Sequence, residues 1–405
     1  MSQPRFLQIH FLTSYAATLL NRDDAGMAKR LPFGGATRTR VSSQCLKRHW
    51  RTAEDDHALK RISNIEMSLR SRLIFSNKVA EPLIKANPDR KQQVEAAVAA
   101  FQDEILGSSA RAKKEKEEKK KGKDASDEQG SQEISLETNQ VVILGQPEVR
   151  FIQEKVKEIV AETDNAKASE EAVKVLFKKE RKNLKALIEA TRLPAGLDAA
   201  LFGRMVTSDL LTRLDAAIHV AHAFTVHAQE LETDYFSAID DLIQEAGELG
   251  SGHINDSELT SGLFYGYVVV DIPLLVENLA SDRQTAAQVV ENLLHLIATV
   301  SPGAKKGSTA PYGYAEMVLV ESGRRQPRTL ANAFRQPVPN RNSGDLRDAA
   351  ITQLGTYLKK CDAMYGEGEM RKVATMGDAS LLPVDGSLTL GELAKWSAAQ
   401  VLESA

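Results

Sequence analysis

Four strand-like stretches lie far apart in this chain, and their spacing limits what it can fold into. They are "RFLQIHFLT" (5–13), "IHVAHAFTVH" (218–227), "SGLFYGYVVVD" (261–271) and "YAEMVLVES". The first is rich in apolar and aromatic residues. The second alternates, with Ile218, Val220, Phe224 and Val226 on one side and His219, Ala221, Thr225 and His227 on the other. Between them run long stretches of helical or polar character. Regular βαβ winding would repeat short strand–helix units. Distant strands with large insertions predict instead an α+β fold with antiparallel pairing and long excursions. The 405 residues contain 42% hydrophobic side chains, enough for a sizeable core.

The excursions have their own signals. "TRTRV" alternates, with Thr37, Thr39 and Val41 facing one way and Arg38 and Arg40 the other. Ser42 or Ser43 is a good N-cap for a helix beginning near Gln44. That helix would bury Leu46 and Trp50 and set Lys47 and Arg51 one turn apart on a neighbouring face. Residues 59–105 read as largely helical, interrupted near Pro82 and Pro88. Residues 107–133 are low-complexity and almost without apolar side chains, which predicts a solvated insertion. Helix resumes over 147–193 after the short "QVVILG". Residues 230–260 form a polar excursion. "SDRQTAAQVVENLLHLIATV" predicts a helix with a Ser281/Gln284 capping box, ending at Pro302-Gly303. Two helices follow, near 345–364 and 388–403.

The chain carries 52 basic and 55 acidic side chains, a net charge of -3, so charge arguments must be local. "FGGATRTRVSSQCLKRHWR" (33–51) holds Arg38, Arg40, Lys47, Arg48 and Arg51 and no acid. Gly34 and Gly35 would let backbone approach a ligand closely. A serine-capped helix start beyond them is a natural anion site. No Walker-type phosphate loop is present. Asp23 and Asp24 could bind a metal, but adjacent acids in a loop usually shape a turn. His219, His222 and His227 lack metal-ligand spacing on a strand. "SGLFYGYVVVD" loosely fits the aromatic strand of an RNA-recognition fold, although such strands are more often core. Two distant cysteines fit a reducing compartment. The chain shows no charged leader before an apolar run and no span of about 20 apolar residues. No membrane association and a cytoplasmic location are therefore expected.

Several motifs agree in order: "LNRDD", "FGG", "TRTRVSSQCLKR", "GRM", "IHVAHAFTVH", "TSGLFY", "PGAK" and "ANAF". Together they resemble the CasC backbone subunit of the type I-E CRISPR surveillance complex, Cascade. The resemblance runs from about residue 5 to the last helix and leaves out the charged insert. It implies a modified RRM-like (ferredoxin-like) antiparallel palm over 1–60, 201–227 and 263–405. It also implies helical fingers over 61–200 and a protruding thumb over 228–262. The implied partners are a CRISPR guide RNA, a target DNA strand, and further copies of the chain set head to tail. The other Cascade subunits are implied too: small, large, guide-end-capping and guide-processing. The implied RNA-binding residues are Arg22, Lys29, Ser42, Gln44, Lys47, Arg48 and Arg51, with Met205 and Phe236 as apolar wedges. No catalytic residue, metal or cofactor is expected. The alternative is a type III-like backbone subunit that cuts target RNA with a loop aspartate.

Overall fold

The computed structural model describes residues 3–63, 65–110, 135–189, 193, 195–205, 211, 213–239, 251–339 and 344–403. They fall into two compact units. One comprises 1–63, 217–277 and 281–405; the other comprises 64–216 with 278–280.

The first unit is built on an antiparallel sheet. Its strands are β1 (Phe6–Thr18), β2 (Arg30–Phe33) and β3 (Ala36–Val41). Then follow β6 (Ile218–Val220), β7 (Ala223–Thr225), β8 (Leu231–Ile239), β9 (Ser251–Asp271), β10 (Ala315–Gly323) and β11 (Met370–Thr375). Their order is β11-β10-β1-β9-β7-β3-β2, with β6 and β8 also paired to β9. β1 lies between β10 and β9 and is antiparallel to both. The helix Ser43–Arg51 falls between β1 and β6/β7 in sequence, and the helix Arg283–Thr299 between β9 and β10. A β-α-β-β-α-β chain with spatial order fourth, first, third, second is the ferredoxin-like arrangement of RNA-recognition domains. The α+β expectation with an antiparallel sheet therefore holds.

β1 is buried on both faces, which explains its unbroken apolar run. Gln8, His10 and Leu12 face a layer formed by the 328–338 segment and the helix Leu346–Tyr365, where Leu12 shares a core with Phe334, Ile351 and Leu358. Leu7, Ile9 and Phe11 alternate to the other face. There the helix Arg283–Thr299 touches β1 and β10, and Leu390–Glu403 packs on that helix. Phe11 explains Gly266 in "FYGY": a Cβ there would lie 2.0 Å from the Phe11 ring.

Three local expectations change. "IHVAHAFTVH" splits into β6 and β7, and residues 223–227 are buried on both faces. Asp282, not Ser281, caps the Arg283 helix, accepting from Thr285 N at 3.0 Å. Ser281 instead adopts φ +64° in the preceding turn. β11 forms the sheet edge where no strand was predicted.

Residues 231–239 and 251–260 pair as a two-stranded antiparallel ribbon, from Leu231↔Thr260 to Ile239↔Ser251. β9 thus runs 21 residues, from this ribbon into the middle of the sheet.

The second unit packs helices Lys91–Leu106, Gln146–Glu162 and Ala166–Glu189 with a two-stranded antiparallel sheet of β4 (Ser68–Ser71) and β5 (Val142–Gly145). Its core includes Phe75, Phe101, Ile152 and Phe177. The expected helix over 59–105 is several pieces, among them β4 and a π-helical turn at Ile74–Ala80. Pro82 and Pro88 each sit in the first turn of a helical segment, where proline lacks no needed donor. Most of the charged insert, 111–134, lies outside the described residues.

Candidate nucleic-acid interface

The basic stretch of the sequence becomes a strand end and a helix start, and one residue, Asn21, joins both to the preceding 22–29 loop. Asn21 Oδ1 accepts from Ser42 N at 2.9 Å. Its carbonyl accepts from Lys29 N at 2.9 Å, and the Lys29 carbonyl accepts from Arg40 N at 2.8 Å. Asn21 therefore couples the 22–29 loop to β3 and to the helix Ser43–Arg51. Asp23 Oδ1 accepts from Ala25 N at 3.0 Å and Met27 N at 2.9 Å, an Asx-type turn that fixes the loop tip. Buried Glu258, at the base of the ribbon, accepts from Ala28 N at 2.6 Å and pairs with Arg30.

Helix Ser43–Arg51 begins at Ser42, whose hydroxyl accepts from Cys45 N at 3.3 Å. Its first turn has no acid, and Leu46 and Trp50 anchor it in the core. Gln44 and Arg48 are exposed, whereas Lys47 and Arg51 are half-buried. Ser42 is buried, with backbone N–H and hydroxyl both engaged, so what it offers a phosphate directly is the helix start it holds. Arg22 is exposed and Lys29 half-buried on the same loop.

Positive charge here comes from more segments than were predicted. Arg40 donates to the Arg30 carbonyl at 3.1 Å and meets His222 Nδ1 at 3.0 Å. Partial burial, then the Arg40 and Lys29 charges, hold the His222 imidazole below its usual pKa. Burial, then the Lys306 and Arg48 charges, do the same to His49. Burial raises the Cys45 thiol, while the Arg48 and Lys29 charges pull against it. Lys29, Arg40, Arg48 and Lys306 thus act on one small surface. A shallow concavity of about 400 Å³ at its edge is lined by Asp23, Asp24, Met27, Lys29, Arg30 and Arg40. Arg40 and Lys306 are the residues that sequence reasoning did not assign to the site. Lys306 follows the "PGAK" motif, which was the available signal.

Arg38 plays a different part. It is fully buried and donates to three carbonyls: Thr225 at 2.8 Å, His227 at 3.3 Å and Phe334 at 2.8 Å. The two glycines also differ from expectation. Gly34 (φ +62°) and Gly35 (φ +78°) are the two-residue turn of the β2–β3 hairpin. A Cβ on Gly34 would lie 1.5 Å from the Arg335 carbonyl, so the close approach is to the protein's own backbone.

The sheet face where RNA-recognition domains stack bases is covered. Tyr265 is buried, and its hydroxyl meets His10 Nδ1 at 2.9 Å and accepts from Leu330 N at 3.0 Å. Tyr267 donates to Gln8 Oε1 at 2.8 Å. The aromatic strand is core, and the exposed basic surface lies on the loop and helix start instead.

Met205, in the second unit, is 90% exposed. Its neighbour Arg204 is buried in a bidentate pair with Glu148, at 2.6 and 2.8 Å. Phe236 lies on β8 opposite Asn255; its side chain is outside the described residues.

Fold and surface together define a ferredoxin-like α+β protein whose sheet face is closed and whose basic surface is built at the Asn21–Arg51 corner. Residues 7–396 match the family described as CT1975-like protein, and the chain belongs to that family. No curated protein matches it. Among solved structures, it is similar to a chain of "CRISPR RNA-guided surveillance complex, pre-nicking". That likeness has 26% identity and TM-score 0.74, over 98% of this chain and 100% of the other. A chain of a "CRISPR RNA-guided surveillance complex" shares the fold at 22% identity and TM-score 0.55, over 97% and 99%.

Proposed function

We propose that this chain is a guide-RNA-binding backbone subunit of a CRISPR surveillance complex, of the type I-E Cascade branch. Copies set head to tail along the guide would present it for pairing with target DNA. The observation that carries the reading is end-to-end likeness to a surveillance-complex chain, combined with a basic loop–helix surface suited to a phosphate backbone. Guides vary in sequence, so the grip must ignore base identity. Phosphate contacts from Arg22, Lys29, Lys47, Arg48 and Arg51 at a helix start meet that need. Residues 61–200 would be the fingers, the ribbon within 228–262 the thumb, and the rest the palm. Met205 and Phe236 would wedge against displaced bases, at a cost of a few kcal/mol per unstacked step offset by backbone contacts.

The chain is read as a scaffold and not a nuclease. Asp23, the candidate for the type III-like alternative, has its Oδ1 committed to the loop's own turn, which supports a structural role. The test is to co-express the chain with its neighbouring proteins, purify the assembly and sequence the bound RNA. The expected outcome is guide RNA of uniform length. Absence of RNA, or RNA of arbitrary origin, would sink the proposal. Incubation with guide-complementary RNA and a divalent metal should give no regularly spaced cuts. Cuts that vanish in Asp23→Ala or Asp24→Ala would establish the type III-like reading instead.

A further inference from the structure

The aromatics of "LFYGY" on β9 are buried or half-buried, whereas two tyrosines just before β10 are largely exposed. Tyr312 is 74% exposed and Tyr314 is 66% exposed, in "APYGYAE" just before β10. An exposed aromatic pair on a loose loop would mean little. This loop is clamped. Ser301 Oγ donates to the Gly313 carbonyl and accepts from Gly313 N, both at 2.9 Å. Tyr312 N donates to the Ala310 carbonyl at 2.7 Å. Gly313 lies so close to β1 that a Cβ would meet the Ser14 carbonyl at 2.6 Å and the Tyr15 ring at 3.2 Å.

The clamp also places the loop. The Tyr15 ring that supports Gly313 hydrogen-bonds Ser301 and lies within electrostatic reach of Cys45, on the basic helix. Ala304 N donates to the Leu19 carbonyl at 2.9 Å, two residues before Asn21. Lys306 lies close enough for its charge to act on His49, one helical turn after Cys45. The two tyrosines therefore stand on a clamped loop bordering the Asn21–Arg51 surface, in the same segment as Lys306, whose charge reaches that surface. Positive charge with fixed aromatic faces is the combination that holds single-stranded nucleic acid without reading its sequence. Contact adds little backbone-ordering cost, because the loop is already fixed, and a tyrosine has only two side-chain torsions to lose.

We propose that Tyr312 and Tyr314 form a base-stacking site for the single strand whose phosphates lie on the Lys29–Arg51 surface. This rests on the guide-binding reading above and adds to it a contact to nucleobases.

The experiment uses the full chain and two oligoribonucleotides of equal length, one of mixed sequence and one abasic throughout. Affinity is measured across a salt series for wild type, Tyr312→Ala/Tyr314→Ala and Tyr312→Phe/Tyr314→Phe. The alanine pair should weaken binding to the normal strand by roughly tenfold or more. The phenylalanine pair should stay within about twofold of wild type, because it keeps the rings. The salt slope should not change, since stacking releases no counterions. Binding of the abasic strand should be the same in all three proteins. Equal losses on both strands, no loss on either, or a shallower slope would each overturn the stacking site. Loss of self-association with unchanged RNA affinity would assign the rings to a copy-to-copy contact and also overturn it. If wild type binds neither strand, the guide-binding reading falls and takes this site with it. If wild type binds and the alanine pair matches it, only the stacking site falls.

Discussion

Lys47 and Arg51 lie four apart on the basic helix, and each should hold one guide phosphate. Every such contact releases condensed counterions. Lys47→Ala or Arg51→Ala should therefore shallow the log–log salt dependence of RNA binding by about 0.7. The loss should be equal for two unrelated spacer sequences, because a phosphate carries no base identity. Unchanged slopes would remove the phosphate grip, and a spacer-dependent loss would indicate base readout. Arg38 makes the opposite prediction. Arg38→Met would remove a donor from three buried carbonyls, of which that of His227 keeps the Thr225 hydroxyl, at about 1–3 kcal/mol for each left unsatisfied. Urea unfolding should report a large loss, while RNA bound by the remaining folded protein should keep its salt slope. Sequence could not separate Arg38 from Arg40, since both occupy the same alternating face. What buries one is Phe334, nearly 300 residues away, and no local pattern contains that information.

The helix Ser43–Arg51 tests capping and charge separately. Ser42→Ala should cost about 1 kcal/mol of stability through the lost cap. Ser42→Asp keeps a capping oxygen, so it should lose no more stability than Ser42→Ala, and it sets a negative charge at the helix start offered to the guide phosphate. RNA affinity should then fall tenfold or more by repulsion, on the order of 1.4 kcal/mol. Denaturation and filter binding on the same samples would check this. Equal affinity for Ser42→Asp and wild type would place the phosphate elsewhere. The cap and the Leu46/Trp50 face were legible because they are local: a serine, a helical period and nothing else. The Asp282 cap was missed for a related reason. Ser281 and Asp282 are both good caps, and the left-handed turn at Ser281 decides between them. β11 was missed because "MRKVAT" has little apolar pattern of its own and takes its register from β10.

Two predictions concern the whole chain. In the first unit, Glu321 is buried among His10, Arg328 and Arg371, which also pairs with Asp362. Burial lowers the His10 pKa below 6.5. Burial would raise Glu321, but the hydrogen bond to His10 and the pairing with Arg328 outweigh it and hold the carboxyl below 4.5. For both groups the unfolded chain takes up protons first. Stability should be full above about pH 6.5 and decline as pH falls, first through histidine and then, below 4.5, through Glu321. His49, His222, His227 and His295 are lowered too and steepen the upper part. His10→Gln should reduce that upper slope by one proton's share in pH-dependent urea titrations. An unchanged slope would mean that His10 is already protonated in the folded state. In the second unit, the described residues on either side of the charged insert meet. Asn139 donates from its backbone N to the Ala110 carbonyl at 2.8 Å and from Nδ2 to the Ser109 carbonyl at 2.9 Å. With eight basic and six acidic side chains between 111 and 128, little net field remains. Replacing 111–134 by a short Gly/Ser linker should leave stability and guide affinity within about twofold of wild type. A large loss of assembled complex would reveal a specific contact. The α+β layout was legible because strand stretches so far apart leave few topologies. The covered sheet face was not, because its cover comes from the last hundred residues.

β9 has one further consequence. The same unbroken strand forms one side of the ribbon and the middle position of the sheet, with no linker between the two. Its ribbon base is tied by Glu258 to the loop that carries Lys29. In the proposed assembly, the distance from each phosphate grip to each ribbon would be a constant of the fold. A row of such subunits would work as a ruler: the interval between displaced bases would be counted in protein copies and would not drift with guide composition. Guide length would then change in steps of one subunit, and a spacer of intermediate length would leave an incompletely covered end.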